Sequence, residues 1–216
     1  MDKALLEHEA KQLLRDFQIP VLAFEFCQTE EEAVRAASSM GFPVVLKIVS
    51  PQIVHKSEAG GVKLNIRNEE ELNRAYAEMT ASARNYDAQV EISGVLVSPF
   101  MTGAKELIVG SVEDPQFGPV VMVGLGGIFV EIFKDVSFGI APLDMEEATE
   151  MLENLKAYPI LEGTRGQQGL PVGEIASLIV NVSRLISEQP ILELDLNPVF
   201  CFPDQVLVAD ARVLLK

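Results

Sequence analysis

Apolar residues recur with a helical period in several stretches of the chain and with a strand-like period between them. Leu6, Ala10, Leu13, Leu14 and Phe17 share one helix face near the start, and Ile175, Leu178, Ile179, Val182 and Leu185 share another near the end. Three further helices are marked at their first turn by a capping box, a small polar residue followed three positions later by glutamate: Thr29 with Glu32, Asn68 with Glu71, and Asp144 with Glu147. Leu72, Ala75, Met79 and Ala83 form the apolar face of the second, and Ala148, Met151, Leu152 and Leu155 that of the third. Runs rich in β-branched or alternating residues at 21–26, 43–48, 94–98, 106–112, 119–123, 191–201 and 205–214 read as strands. This order predicts an α+β (mixed α/β) fold, not a regular βαβ repeat. A turn-rich patch from Ser98 to Gly103 is a candidate hinge between two halves, 1–100 and 101–216.

Charge excludes one class of partner. The 216 residues include 32 acidic and 17 basic side chains, a net charge of −15, so no basic face is expected for nucleic acid. At 48% hydrophobic and 23% charged, the composition is that of a folded chain. The longest charge-free stretch, Pro115 to Val130, holds two prolines and four glycines, so no membrane span is expected. Acids occupy the N-terminal stretch where a secretory signal would be apolar, and Cys27 and Cys201 match no metal or redox spacing. The expected setting is a reducing cytoplasm.

Local charge is more informative. Between Lys47 and Arg67, four basic residues (Lys47, Lys56, Lys63, Arg67) meet one acid, Glu58, in a segment that also holds His55 and the pair Gly60 and Gly61. Such a loop is either a solvated face or an anion site in which glycines let backbone N–H groups approach an oxyanion. The reverse imbalance occurs at 191–210, where Glu193, Asp195, Asp204 and Asp210 have no basic neighbour. Asp195 and Asn197 would share one face of a strand, with Asp210 arriving from the next strand of a hairpin, an oxygen set suited to magnesium. Solvated acids at strand ends are the other reading. Together, the basic loop and the acidic strands suggest a magnesium-bound nucleoside polyphosphate. The chain contains no GxxxxGK[ST] string, and GLGG at 124–127 also fails the GxGxxG pattern.

The strings FPVVLK (42–47), HKSEAGGV (55–62), KELIVG (105–110), DPQFGPVVMVGLGG (114–127), EGTRG (162–166) and ELDLNPV (193–199) occur in an order that resembles the ATP-grasp domain of nucleoside-diphosphate-forming acyl-CoA synthetases. The likeness spans nearly the whole chain. In size the chain is similar to the separate β subunit of ADP-forming acetyl-CoA synthetase, with a more distant likeness to the succinyl-CoA synthetase β subunit.

The resemblance implies an ATP-grasp fold of two α+β lobes gripping ATP/ADP with Mg2+. It implies that Lys47 touches the nucleotide phosphates, and it extends nucleotide binding to Gly60, Gly61 and Lys63 of the glycine loop. Val97, Ser98 and Phe100 fall where the family presents hinge backbone to the adenine, and Glu106 matches a glutamate lining the pocket. Asp195, Asn197 and Asp210 match the metal-binding positions. His55 matches a histidine that accepts the phosphoryl group, a role for which neutral imidazole is suited.

One position departs from the family pattern: Gly139 stands where an arginine is usual, and Arg165 in EGTRG is the candidate to replace its phosphate contact. Glu113 likewise replaces a commonly basic residue. The resemblance therefore implies the ATP-binding subunit of an ADP-forming acyl-CoA synthetase, an acid-thiol ligase, whose partner α subunit supplies the CoA-binding and ligase domains. A non-catalytic, degenerate ATP-grasp domain that senses nucleotide or acts as a scaffold is the alternative that Gly139 favours.

Overall fold

A computed structural model describes residues 3–53, 55–126, 134–164, 166 and 168–216. In chain order its first elements are β1 (Lys3–Ala4), α1 (Glu7–Asp16), β2 (Glu25–Cys27), α2 (Glu30–Met40), β3 (Val44–Val49), β4 (Val62–Ile66), α3 (Glu69–Tyr86) and β5 (Gly94–Pro99). There follow β6 (Lys105–Asp114), β7 (Gly118–Leu125), β8 (Val136–Ile140), α4 (Met145–Glu153), α5 (Tyr158–Glu162), α6 (Val172–Glu188), β9 (Ile191–Phe202), β10 (Gln205–Val208) and β11 (Arg212–Leu215). Among the described residues no helix is long and apolar enough to cross a membrane.

The elements fall into two compact units, Leu22–Thr102 and a larger one made of Met1–Val21 with Gly103–Lys216. The internal boundary lies at the turn-rich patch around residue 100. The first 21 residues, grouped by sequence with the first half, pack in the larger unit: Lys3 and Ala4 pair with Leu215 and Leu214, and Ala10 and Leu14 are fully buried in its core.

The smaller unit is a four-stranded antiparallel sheet in the order β2-β5-β3-β4, with α2 and α3 on one face. Both helices start as expected. The Thr29 hydroxyl accepts the Glu32 N–H (3.3 Å), and the Asn68 side chain accepts that of Glu71 (2.9 Å). In each case the glutamate reaches back one residue further than a capping box requires, to the N–H of Gln28 or of Arg67. Small residues Ala33, Ala36 and Ala37 of α2, with Leu72, Ala75 and Met79 of α3, close on Val44, Leu46, Ile48, Val95 and Val97.

The larger unit is a seven-stranded sheet. Six strands run in the order β1-β11-β9-β6-β7-β8, and β10 also pairs with β9. One face is covered by α1, α4 and α6, whose apolar stripes bury Leu107, Val109, Val121, Val123, Leu194, Leu196 and Val199. Asp144 and Glu147 form a reciprocal capping box at α4, both bonds 2.9 Å. The run expected as one strand over 205–214 breaks at Ala209–Ala211, where the Ala209 N–H donates to the Pro198 carbonyl at 3.0 Å. The strand expected at 21–26 shortens to β2, and Val21 makes a single parallel bridge with Val208. The short elements β1, β4, β8 and α5 carry too few residues to show a period.

Candidate nucleotide site

In the smaller unit, strand alternation separates the candidate side chains. Lys47 lies opposite Leu96 on β5 and Val62 on β4, and Val45 lies opposite Ser98. Lys47 and Ser98 therefore share the face turned away from α2 and α3. Val97 points the other way, fully buried among the helices. Lys63 also belongs to the helix-covered face, because it lies opposite Leu46, and its Nζ meets the Glu78 carboxylate of α3 at 2.7 Å. That bond holds the Glu78 carboxyl below its usual range. The structure thus groups Lys47 with Ser98 and sets Lys63 and the Val97 side chain apart from them. The Phe100 N–H donates to Pro43 O at 3.0 Å.

His55 is exposed and opens the turn that joins β3 to β4. Ile53 and Ala59 anchor this turn in the core, 3% and 4% exposed. Its backbone is closed by Ala59 N–H to His55 O (3.2 Å), Gly60 N–H to Ser57 O (3.1 Å) and Gly61 N–H to Lys56 O (2.7 Å). The two glycine N–H groups are therefore used within the turn. Glycine is required there for local reasons: Gly60 has a φ of +67°, and a Cβ at Gly61 would overlap the Cγ2 methyl of Ile48.

In the larger unit, Leu194, Leu196 and Val199 of β9 enter the core, so Asp195 and Asn197 lie on the opposite face. Glu106 of β6 is exposed on that same face, and its carbonyl accepts the Gly126 N–H at 2.7 Å. Val208 is opposite Val199 and Arg212 is opposite Asp195. That common register brings Asp210, in the break between β10 and β11, level with Asn197. Sequence spacing alone anticipated this pairing, although the partner strand proves to be two strands. Burial pushes the Asp195 carboxyl up from its usual range; Arg212 opposes the shift, and the charges of Asp210 and Glu193 add to it.

The donors Asp195, Asn197 and Asp210 are all oxygens, which fits a hard divalent cation that keeps water or phosphate as further ligands. Among the described residues no group of three or more His, Cys, Asp or Glu side chains could hold a metal ion. Arg165 and Gly127 lie outside the described residues. Gly139 sits on β8 opposite Val121, and a Cβ there would meet Met151 Sδ at 2.6 Å and Leu143 Cδ2 at 2.9 Å. A side chain at 139 would leave toward α4, away from the Asp195 face.

Sequence reasoning missed Lys105 and Asp135, which fix the approach to the EGTRG loop. Lys105 Nζ donates to Ile160 O (3.0 Å), and the buried Asp135 carboxylate accepts the N–H groups of Lys156 (2.9 Å) and Ala157 (2.8 Å). The sequence does not single Asp135 out, because it directly follows Lys134 in FKDVSF.

Comparison with known proteins bears on this arrangement. The chain is 49% identical over 215 residues to the protein named acetate–CoA ligase [ADP-forming] I subunit beta of Pyrococcus furiosus, covering 99% of this chain and 93% of that one. Its fold superposes with a TM-score of 0.95 on acetyl-coenzyme A synthetase 1 of Candidatus Korarchaeum cryptofilum, solved with coenzyme A, Ca-AMPCP and HgCl+. That match has 47% identity and covers 99% of this chain and 94% of that chain. A second structure of that enzyme, with coenzyme A and Mg-AMPPCP and its phosphohistidine segment pointing towards the nucleotide binding site, matches with a TM-score of 0.86 and 46% identity. It covers 99% of this chain and 93% of that chain. Residues 1–215 match the model of the ATP-grasp domain, and the chain belongs to the ATP-grasp family.

Proposed function

We propose that this chain is the ATP-binding subunit of an ADP-forming acyl-CoA synthetase, an acid-thiol ligase that binds ATP/ADP with Mg2+. The observation that carries the reading is the near-complete match, in both directions, to a relative named as the β subunit of an ADP-forming acetate–CoA ligase. Related structures solved with nucleotide analogues favour a subunit that turns over, in preference to a sensing or scaffolding domain.

Lys47 supplies a positive charge to the phosphates from the helix-free face of its sheet, with Ser98 on that same face and the Val97–Phe100 backbone at the adenine. Gly60 and Gly61 serve chiefly by shaping the His55 turn, and Lys63 adds positive charge near it while bonded to Glu78. Glu106 lines the pocket, and Arg165 contacts phosphate. Asp195, Asn197 and Asp210 would hold magnesium, which when bound neutralises charge on the phosphoryl oxygens. His55, exposed on its turn, forms a bond from imidazole nitrogen to the γ-phosphorus as the bond to the bridging oxygen breaks and ADP leaves. The phosphoryl group then passes, by way of the histidine relay, to a carboxylate oxygen of the acid on the partner α subunit, the P–N bond breaking as the acyl phosphate forms and the imidazole is freed; that subunit supplies the CoA-binding and ligase domains. A cytoplasmic setting follows from these substrates.

The test is incubation of the purified chain, with and without that partner, with γ-labelled ATP and magnesium. Acid-labile label that disappears in His55→Ala is expected; equal labelling of the variant removes His55 from the mechanism. Absence of any nucleotide-dependent thermal shift would overturn ATP binding itself.

A further inference from the structure

The helix-free face of the larger sheet is unusually apolar at one end. Cross-strand register sets Phe138, Met122, Gly110 and Asp195 side by side in one row. It sets Ile140, Val120, Val112 and Glu193 in the next row. The two rows line a cavity of about 600 Å³. Its depth comes from Gly110, where a Cβ would stand 3.3 Å from the Met122 methyl and narrow the hollow. An antiparallel sheet covered on one side normally turns polar residues outward. Here Val112, Phe138 and Ile140 are 55%, 64% and 53% exposed, and Phe117 on the adjoining turn is 59% exposed. That turn is held by Asp114, whose carboxylate accepts the N–H groups of Gln116 and Phe117.

Exposed apolar side chains gathered into one groove mark an interaction surface. A small molecule is a poor occupant, because such sites enclose most of their ligand, whereas four of the apolar walls here, Val112, Phe117, Phe138 and Ile140, stay more than half exposed. A second copy is also a poor one. The lining carries three carboxylates, Asp114, Glu193 and Asp195, against one adjoining cation, Arg212, which pairs with Glu193 at 3.2 Å, so a two-fold contact would still set acid against acid in a chain of net charge −15. The groove is continuous with Asp195, so whatever docks there arrives beside the candidate magnesium ligands.

We propose that this groove docks the CoA-binding partner chain, through a surface of that chain that is apolar at its centre and basic at its rim. This inference rests on the function proposed above and names where the two chains meet. Contact at this place would bring the partner to the edge of the site from which phosphoryl must leave.

The experiment measures association of the full chain with its purified CoA-binding partner by sedimentation or biolayer interferometry. Phe138→Lys and Val112→Lys are expected to weaken association at least tenfold, with magnesium-ATP affinity and melting temperature unchanged. Leu64→Lys, an equally exposed apolar position in the smaller unit, is the control and is expected to leave association intact. Added salt is expected to weaken the wild-type complex. Association undiminished in both groove variants overturns the proposal while leaving the function standing. Self-association of the chain that Phe138→Lys abolishes, or coenzyme A binding that it abolishes, overturns it in favour of another occupant. A wild-type chain that binds magnesium-ATP but never the partner overturns the parent reading as well.

Discussion

Replacing Gly61 with alanine probes the turn that carries His55. The added methyl would overlap Ile48 Cγ2 and lie 3.1 Å from the Lys56 carbonyl oxygen. Neither neighbour gives way easily. Ile48 is fully buried and β-branched, and the Lys56 carbonyl already accepts the Gly61 N–H at 2.7 Å. No left-handed φ is involved, so the cost is one of overpacking, about 1–3 kcal/mol. For a chain of this size each kcal/mol lowers the melting temperature by about 2–4 °C. Ile48→Ala alone costs about 2–5 kcal/mol. In the double variant the new methyl occupies space that Ile48 has left, so the two losses should fall short of additivity by about 1 kcal/mol or more. Denaturant unfolding of the four proteins, followed by circular dichroism, measures this cycle. Gly60→Ala is a contrast: its φ of +67° costs about 1–2 kcal/mol in backbone conformation and the added carbon would stand 3.0 Å from Ser82 Cβ of α3, so its cost finds no relief from Ile48→Ala. A Gly61→Ala protein within about 0.5 kcal/mol of wild type, or a cycle that closes additively, would refute the reasoning.

Three further outcomes follow from the structure. Asp135→Ala removes the acceptor of two N–H groups at the start of α5 and should cost about 2–4 kcal/mol in urea unfolding, with Asp135→Asn intermediate; equal stability of all three would show the bonds to be dispensable. Lys11 lies 2.9 Å from Glu7 with both side chains 1% exposed, so Lys11→Ala should cost about 3–5 kcal/mol, and a loss below about 1 kcal/mol would contradict the pairing. Burial pushes the Cys201 thiol up to about 12, and burial with the Glu25 and Glu32 charges pushes Cys27 up to about 11, from an ordinary value of 9.0. Between those values the folded chain holds protons that the unfolded chain has lost. Stability is therefore lost as pH rises above 9.0, at up to about 1.4 kcal/mol per pH unit per thiol. Urea unfolding from pH 8 to 10.5 should show a shallower decline in Cys201→Ala, and an identical decline would refute the assignment.

Periodicity and capping chemistry made five helices and most strands legible, because each carries its own signal over eight or more residues or opens on a Ser, Thr, Asp or Asn cap. What the sequence concealed was facing. Lys63 and Lys47 look equivalent in a basic segment, but pairing of Lys63 with Leu46 sends it to the helix side, and pairing of Lys47 with Leu96 keeps it on the free side. Val97 and Ser98 part for the same reason. Register between strands far apart in sequence decides such questions. The outward row of Phe138, Met122 and Gly110 was invisible until three strands were set side by side.

The central proposal is that the chain binds magnesium-ATP and that Lys47 and the acidic set on β9 and the β10–β11 break are each needed for that binding. Calorimetric titration of magnesium-ATP into wild type, Lys47→Ala, Asp210→Ala and the double variant tests it directly. One site per chain is expected, with affinity lowered at least about tenfold by each single change, or about 1.4 kcal/mol, and magnesium dependence lost in Asp210→Ala. Undiminished affinity in either single variant, or a site that ignores magnesium in the wild type, would contradict it.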